Sequence, residues 1–467
     1  MKKISILFIL NIFLVLSAFA THMRGGYITY TYVSGLTYNV SITTYTNTAS
    51  PADRPQYTIS WGDGTTSVLN RSYKGPVGPA SMEISINLYY GTHTFPSPNV
   101  YIISLTDPNR NAGIINIPNS VNVPFYIETM INVFNPDSNC VVNSVNFFAP
   151  FPMVKSLNDN QFKFDFTAYD PDHDSLSYEI DSCRTTGGLN ISGYTIPTGV
   201  NLNPYNGEFT WNDNTSSQGE YCFAIKINKW RHGRNVGYVL TDFQVTDVAT
   251  SAVSYSFTGT SSFISSDTLG SNFIVMNPND TLKLKITFTD AITSDQTAIH
   301  SFSEAYILNH PATFSSDSVM NISHGYFTWI PKSEYGRKRP YLLTFRGYTS
   351  TNVAEISNDL SLFIYVIGNN DTICPPFPVD YSIKEINSDN SIDIYPNPAS
   401  SEIEVIGNQL SVNSIDIYNM LGERIYTSPF TDYRSPFTID VSFFPSGMYF
   451  IEIKTQNGVE EKKFVKE

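Results

Sequence analysis

The sequence predicts an all-β protein organised as tandem β-sandwich domains. Composition is the first sign: 30 Tyr and 31 Phe stand against only 15% charged residues, where an average globular chain has ~25%. Such a chain is rich in strand formers and poor in helix formers. The second sign is alternation, as in Tyr38-Asn39-Val40-Ser41-Ile42 and Phe162-Lys163-Phe164-Asp165-Phe166. That is the period of a strand with one buried face, and no long stretch carries a helical period. The third is the supply of turn residues, 27 Gly and 27 Pro. The length allows several domains of roughly 100–150 residues each.

At the start, Lys2 and Lys3 precede an apolar run from Ile4 to Leu16, interrupted by Ser5 and Asn11, and Ala18-Phe19-Ala20 is a small-x-small cleavage pattern. Residues 1–20 are expected to be a secretory signal peptide, with the mature chain beginning at Thr21. An uncleaved anchor is the competing reading. The run is short for a spanning helix, and no transmembrane segment is expected after signal removal. The first cysteine is Cys140, so no lipid anchor is expected near the cleavage point.

Residues 21–140 form the first expected domain. Ser60-Trp61-Gly62-Asp63-Gly64-Thr65 contains an Asp-Gly hairpin signal, and Gly91-Thr92-His93-Thr94-Phe95 and Val100-Tyr101-Ile102-Ile103-Ser104 follow. This set resembles the PKD fold, in which a Trp, a Gly-Asp-Gly turn and a later His-x-aromatic segment mark paired strands. Here the Trp abuts the turn and the second aromatic is Phe95, so the likeness is to PKD-like relatives.

A repeat follows. Asn206-Gly207-Glu208-Phe209-Thr210-Trp211 is echoed by His324-Gly325-Tyr326-Phe327-Thr328-Trp329, 118 residues on, and Phe162 to Thr167 by Leu282 to Thr287, 120 residues on. So long a period means tandem domains, at 141–248 and 249–368, rather than a solenoid with repeats of about 20–50 residues. Asn206-Gly207 turns the chain; Phe209 and Trp211 then share one strand face. They are expected as core anchors, with a sugar-stacking platform as the alternative. The pattern resembles bacterial immunoglobulin-like domains.

Asp170-Pro171-Asp172-His173-Asp174 is the strongest candidate site. Three carboxylates at alternate positions repel unless solvent or a cation offsets them, and calcium takes about 6–8 oxygens from such loops. With Ser175-Leu176-Ser177-Tyr178, the segment resembles the Asp-x-Asp-x-Asp-x-Leu-x-Tyr element of cadherin-like bacterial adhesins. The resemblance implies calcium held by Asp170, Asp172 and Asp174 near a domain junction, with His173 where Gly is commoner. A solvated turn is the plain alternative. The second copy keeps only Asp290 and Asp295 nearby, and no equivalent site is expected there.

Lys229-Trp230-Arg231-His232-Gly233-Arg234 is basic in an acidic chain. It reads as a hairpin with a turn at His232-Gly233, Trp230 packed and its cations solvated, or else as a ligand-binding hairpin. It also resembles a Trp-Arg-x-Gly hairpin of large Bacteroidota surface proteins tied to gliding or adhesion. Thr21-His22-Met23-Arg24-Gly25-Gly26 resembles their mature start.

Residues 369–387, with Pro375-Pro376-Phe377-Pro378, read as a linker. Residues 388–467 carry Ile394-Tyr395-Pro396-Asn397-Pro398, Ile415-Asp416-Ile417-Tyr418-Asn419-Met420-Leu421-Gly422-Glu423, Pro445-Ser446-Gly447-Met448-Tyr449 and the ending Lys462-Lys463-Phe464-Val465-Lys466-Glu467. This stretch resembles the type A C-terminal sorting domain of type IX secretion cargo in Bacteroidota. The resemblance implies recognition by the secretion machinery, removal by its sorting protease within the linker, and a mature protein attached to surface lipopolysaccharide or released.

A net charge of −14 argues against a nucleic-acid partner, which wants a basic face. Four cysteines in an exported chain allow three disulfide connectivities. Cys183 with Cys222 is favoured because both fall in one expected domain; Cys140 and Cys374 are left open between free thiols and a pair. The seven histidines are scattered, and neither a Gly-x-Ser-x-Gly elbow nor a Cys-x-x-Cys pair occurs, so catalysis is not expected. The expected function is extracellular adhesion, binding or a structural role at the cell surface, with a glycan or protein ligand. The alternatives are a carbohydrate-binding or carbohydrate-active protein, marked by exposure of Trp211, Trp230 or Trp329, and a part of a gliding apparatus.

Overall fold

The computed structural model describes residues 23–368 and 393–467, apart from 51–52, 78–82, 135–140, 149–152, 158, 160–161, 213–216, 232, 251–254, 261–264, 267–271, 352–353, 407–410, 420–423, 435–436 and 456–457. The expected signal peptide, Cys140, Cys374 and the linker lie outside the described residues. Strands make up 64% of the structure. The described residues contain no α-helix, and hence none long and apolar enough to cross a membrane. The chain divides into two units, with the boundary at Pro376 and Phe377.

In the first unit the largest sheet runs in the spatial order Ser175–Asp181, Gly219–Arg231, Arg234–Val248, Met23–Ser34, Thr37–Asn47, Ile84–Thr94, Thr66–Pro76, Gln56–Ser60, Asn99–Asp107, Phe125–Val133. Arg234–Val248 pairs with Met23–Ser34, Gly26 lying opposite Asp242, and also with Phe125–Val133, Gly237 lying opposite Ile131. Eight strands therefore close into a ring. Alternation fills its interior with Ile28, Tyr30, Val40, Trp61, Phe95, Ile103 and Ile127. A long hairpin from residues 141–248 thus completes the sheet of residues 21–140.

The Gly-Asp-Gly turn does the structural work expected of it. Asp63 Oδ1 accepts from the Thr65 amide, its Oδ2 lies 2.7 Å from His93 Nε2, and the His93 ring stacks on Trp61 at 4.4 Å. Burial alone would raise the Asp63 pKa, but the hydrogen bonds from Thr65 and His93 outweigh it and hold the carboxyl at about 2.

Farther along, Phe162–Phe164 pairs with Phe209–Trp211, which pairs with Val200–Leu202. This small sheet covers the hairpin through a core of Phe164, Phe166, Phe209, Trp211, Phe223 and Phe243. The next copy is a full sandwich. A four-stranded sheet centred on Leu282–Asp290 and Ile322–Trp329 faces a five-stranded sheet centred on Glu355–Val366 and Tyr341–Ser350. Ile286, Phe327, Trp329, Leu343, Phe345 and Ile364 fill the space between them.

The second unit has a three-stranded sheet, Asp393–Tyr395, Glu402–Ile406 and Phe437–Asp440, and a four-stranded one in the order Arg424–Arg434, Ser411–Asn419, Gly447–Thr455, Gly458–Lys466. Ile403, Val405, Ile415, Ile417, Ile451, Ile453 and Phe464 form its core. Asn397 ties the entry segment to the last strand: its Oδ1 accepts from the Val465 amide at 2.9 Å, and its Nδ2 donates to the Lys463 carbonyl at 3.2 Å.

Candidate functional site

The acidic loop and the basic hairpin, which the sequence separates by more than fifty residues, meet. On Gly219–Arg231 the period of two puts Phe223, Ile225 and Ile227 in the core and continues the same face to Lys229 and Arg231. A buried cation demands a partner. Lys229 Nζ lies 2.8, 3.1 and 3.3 Å from carboxylate oxygens of Asp170, Asp172 and Asp174. Arg231 grips Asp174 side-on, Nε to Oδ1 at 2.6 Å and Nη2 to Oδ2 at 2.7 Å. The expectation of solvated cations is therefore corrected: Lys229 is 1% exposed and Arg231 6%. Trp230, on the opposite face, is 37% exposed and not packed as expected, and its Nε1 donates to Ser177 Oγ at 2.7 Å.

The loop is shaped to hold this cluster. Asp170 Oδ1 accepts from the amides of Asp172 at 2.8 Å and Asp174 at 3.2 Å. His173 takes the left-handed conformation, φ 65°, which His tolerates better than most side chains. Burial pushes the Asp170 carboxyl up to about 6, with Asp174 and Asp172 adding to the rise and Lys229 opposing it. Burial pulls the Lys229 ammonium down, and the three carboxylates overbalance that and hold it raised.

The cluster also gathers its neighbours. The Asn143 amide donates to Asp172 Oδ2 at 2.6 Å, and Asn143 Oδ1 accepts from the Tyr32 amide at 2.8 Å. Lys229 Nζ donates to the Asn143 carbonyl, and Arg231 Nη1 to that of Val141 at 3.1 Å. From the following copy, Arg339 Nη1 donates to the Asp174 carbonyl.

The three aspartates have the chemistry of a cation site, with ligand atoms within 4.8 Å of one another. As the residues stand, calcium does not fit among them. The ammonium of Lys229 holds the position within 3.3 Å of all three carboxylates, and Arg231 occupies both oxygens of Asp174.

Beside the cluster lies a cleft of about 360 Å³, lined by Tyr169, Tyr178, Tyr205, Arg337, Arg339 and Tyr365 among others. Tyr205 is 66% exposed. Of the two arginines, Arg337 is paired with Glu304 and lies 3.6 Å over the Tyr341 ring. Arg339 leaves Nε and Nη2 without a hydrogen-bond acceptor among the described residues. Sequence reasoning missed this wall. The signal was present in Arg337-Lys338-Arg339, a second basic run in an acidic chain.

Trp211 and Trp329 are buried and face the cores, so neither forms a sugar platform. Cys183 and Cys222 are brought together as two buried thiols with sulfurs 3.1 Å apart, not as a bonded pair. Cys222 also touches the buried Arg110–Asp242 ion pair.

Residues 393–467 match the family described as "Secretion system C-terminal sorting domain". The tail is a sorting domain of type IX secretion cargo. The sorting domain sends the chain to the cell surface or the extracellular space, and its Pro396-Asn397-Pro398 motif is the segment that clamps the last strand. No curated protein matches the chain. Among solved structures, the ICAM-5 D1–D4 ectodomain fragment is similar at 8% identity over 93% of this chain and 96% of that one, TM-score 0.16. Drosophila N-cadherin EC1-4 is similar at 11% identity over 89% and 92%, TM-score 0.19. Protocadherin Gamma B2 domains 3–6 are similar at 10% identity over 68% and 71%, TM-score 0.18. Superpositions with TM-scores this low carry no argument, and the fold stands on the strand pairings above.

Proposed function

We propose that the mature body is a non-catalytic adhesion or binding protein that takes an extracellular ligand in the cleft beside Tyr205. The sorting domain is recognised by the secretion machinery and cut away by its protease, leaving residues 21–368 outside the cell. The observation that carries the reading is the cleft itself. Its volume, about 360 Å³, falls within the roughly 300–1,000 Å³ of ligand sites, and tyrosines with a few polar groups are the usual lining. Binding is favoured over catalysis because the carboxylates around the cleft are committed to cations: Glu304 with Arg337, Asp170 with Lys229, Asp174 with Arg231. None is poised to move a proton or attack a substrate.

The test is a screen of the mature chain lacking residues 388–467 against glycan and host-protein arrays, repeated with Tyr205→Ala. Loss of about tenfold or more in affinity is expected for the variant, the size of one aromatic anchor. A ligand held equally by parent and variant would remove the cleft from consideration.

A further inference from the structure

We infer that Lys229 occupies the seat of a junction cation, so that the joint around residues 141–144 is locked by the chain's own ammonium and guanidinium groups and needs no calcium. This inference does not depend on what the cleft binds.

The first support is geometric. An ammonium has three protons, and Lys229 Nζ lies within 3.3 Å of three separate carboxylates. A calcium ion would need contacts of about 2.3–2.6 Å to the same oxygens and could reach them only by expelling Lys229. The side chain is buried, on the inward face that carries Ile225 and Ile227. The second support is the count of acceptors. Calcium takes about 6–8 oxygens, yet both oxygens of Asp174 are held by Arg231, and both oxygens of Asp172 accept from Asn143. The third is charge. Three carboxylates face two cations here. Adding a dication beside Lys229 and Arg231 would reverse the sign of a buried cluster, which desolvation penalises heavily.

The position makes the cluster a joint rather than a local turn. The Ser144 and Tyr30 backbones are cross-linked, with the Ser144 amide donating to the Tyr30 carbonyl at 2.9 Å and the Tyr30 amide to Ser144 Oγ at 2.8 Å. Next to them Asn143 bridges Tyr32 on Met23–Ser34 to Asp172. Lys229 and Arg231 hold the carbonyls of Asn143 and Val141 from the other side. The connecting segment is thus pinned between the first domain and the acidic loop, and its anchors are protein cations. Outside the cell, where calcium varies, such a joint keeps its stiffness.

Thermal unfolding of the full chain in EDTA and in millimolar calcium tests the inference. The parent is expected to melt at the same temperature in both. Lys229→Met is expected to melt lower in EDTA by about 5–10 °C, the effect of leaving buried carboxylates short of a cation, and to recover in part when calcium is added. Three results would overturn the inference. One is a calcium-dependent rise in the parent that Asp172→Asn abolishes. Another is a Lys229→Met variant as stable in EDTA as the parent. The third is a destabilised variant that calcium leaves unchanged, since the seat would then not suit a metal. Where Lys229→Met fails to fold, calorimetric calcium titration of the parent decides. No heat of binding supports the inference, and heat lost on Asp172→Asn overturns it.

Discussion

In the copy at 141–248 Phe162 lies opposite Trp211 and Phe164 opposite Phe209; in the copy at 249–368 Leu282 lies opposite Trp329 and Leu284 opposite Phe327. Each tryptophan meets a tyrosine near the start of a later strand edge-on, Trp211 with Tyr221 at 4.8 Å and Trp329 with Tyr341 at 4.9 Å. Even the loop start is shared: Asp170 Oδ1 accepts from the amide two residues on at 2.8 Å, and so does Asp290 Oδ1. The charges then diverge together. Where the first copy has Asp172, Asp174, Lys229 and Arg231, the second has Ile292, Ser294, Thr349 and Thr351 at the 120-residue offset. Both cations and two of the three carboxylates are absent together, while Asp290, the counterpart of Asp170, stays and is buried. The frame is set by apolar alternation, and this Lys-Arg-Asp cluster is added in the first copy alone.

If the frame is common, breaking it should cost the same in both places. Trp211→Ala and Trp329→Ala are each expected to lose about 3–5 kcal/mol, the range for removing a large buried aromatic, with values close to each other by denaturant unfolding. A large loss in one copy alone would mean that the paired cores are not equivalent.

A smaller effect should sharpen the contrast. Asp165 is fully buried in the first copy, where its amide donates to Asp359 Oδ2 at 2.8 Å. Burial pushes its carboxyl up to about 7, against the pull of hydrogen bonds from Thr167 and Ser361, and Asp359 adds to the rise. A folded-state pKa above the unfolded value means that the folded chain holds the proton more tightly. The stabilisation is complete below the unfolded value, about 3.9, and is lost as pH rises through about 7. Unfolding measured across pH 5 to 9 is expected to lose roughly 1–3 kcal/mol from this group. Asp165→Asn should flatten that slope. Its counterpart at the 120-residue offset is Lys285, so no matching slope is expected from the second copy.

The strand frame was legible because alternation and paired aromatics act locally: Phe209, Trp211, Phe327 and Trp329 are core anchors, as their spacing implies. The sorting domain was legible because its motifs carry backbone duties, as Asn397 does. The partner of the acidic loop was half legible. Counting inward from Phe223 by twos reaches Lys229 and Arg231, and two cations on a core face call for carboxylates. That deduction needs the face to be known beyond the last apolar residue, and a cation at a strand end is as easily read as solvated. The closed ring, with Gly26 opposite Asp242, was not legible, because strand pairing over two hundred residues leaves no local pattern. The basic run Arg337-Lys338-Arg339 was visible in the sequence, but that it faces Tyr205 across a cleft was not, for the same reason.

Two matching glycines test how far the echo between the copies extends. Gly207 and Gly325 occupy matching places before Phe209 and Phe327, yet their backbones differ. Gly207 turns the chain at φ 80°, and a Cβ there would stand 2.5 Å from a ring carbon of Tyr178. Gly325 lies within a strand, opposite Ile286 and Ser316. A Cβ there would meet only the ends of side chains, Phe314 at 2.9 Å and Ile299 at 3.3 Å. Gly207→Ala therefore combines left-handed strain with a clash and is expected to cost about 2 kcal/mol. Gly325→Ala loses some packing but gains from a stiffer unfolded chain, by about 0.4–1 kcal/mol, and should fall within about 1 kcal/mol of the parent. Urea midpoints of the two variants give the comparison. Equal costs would mean that the second glycine is also held in a turn-like conformation, which the pairing of Gly325 with both neighbouring strands argues against.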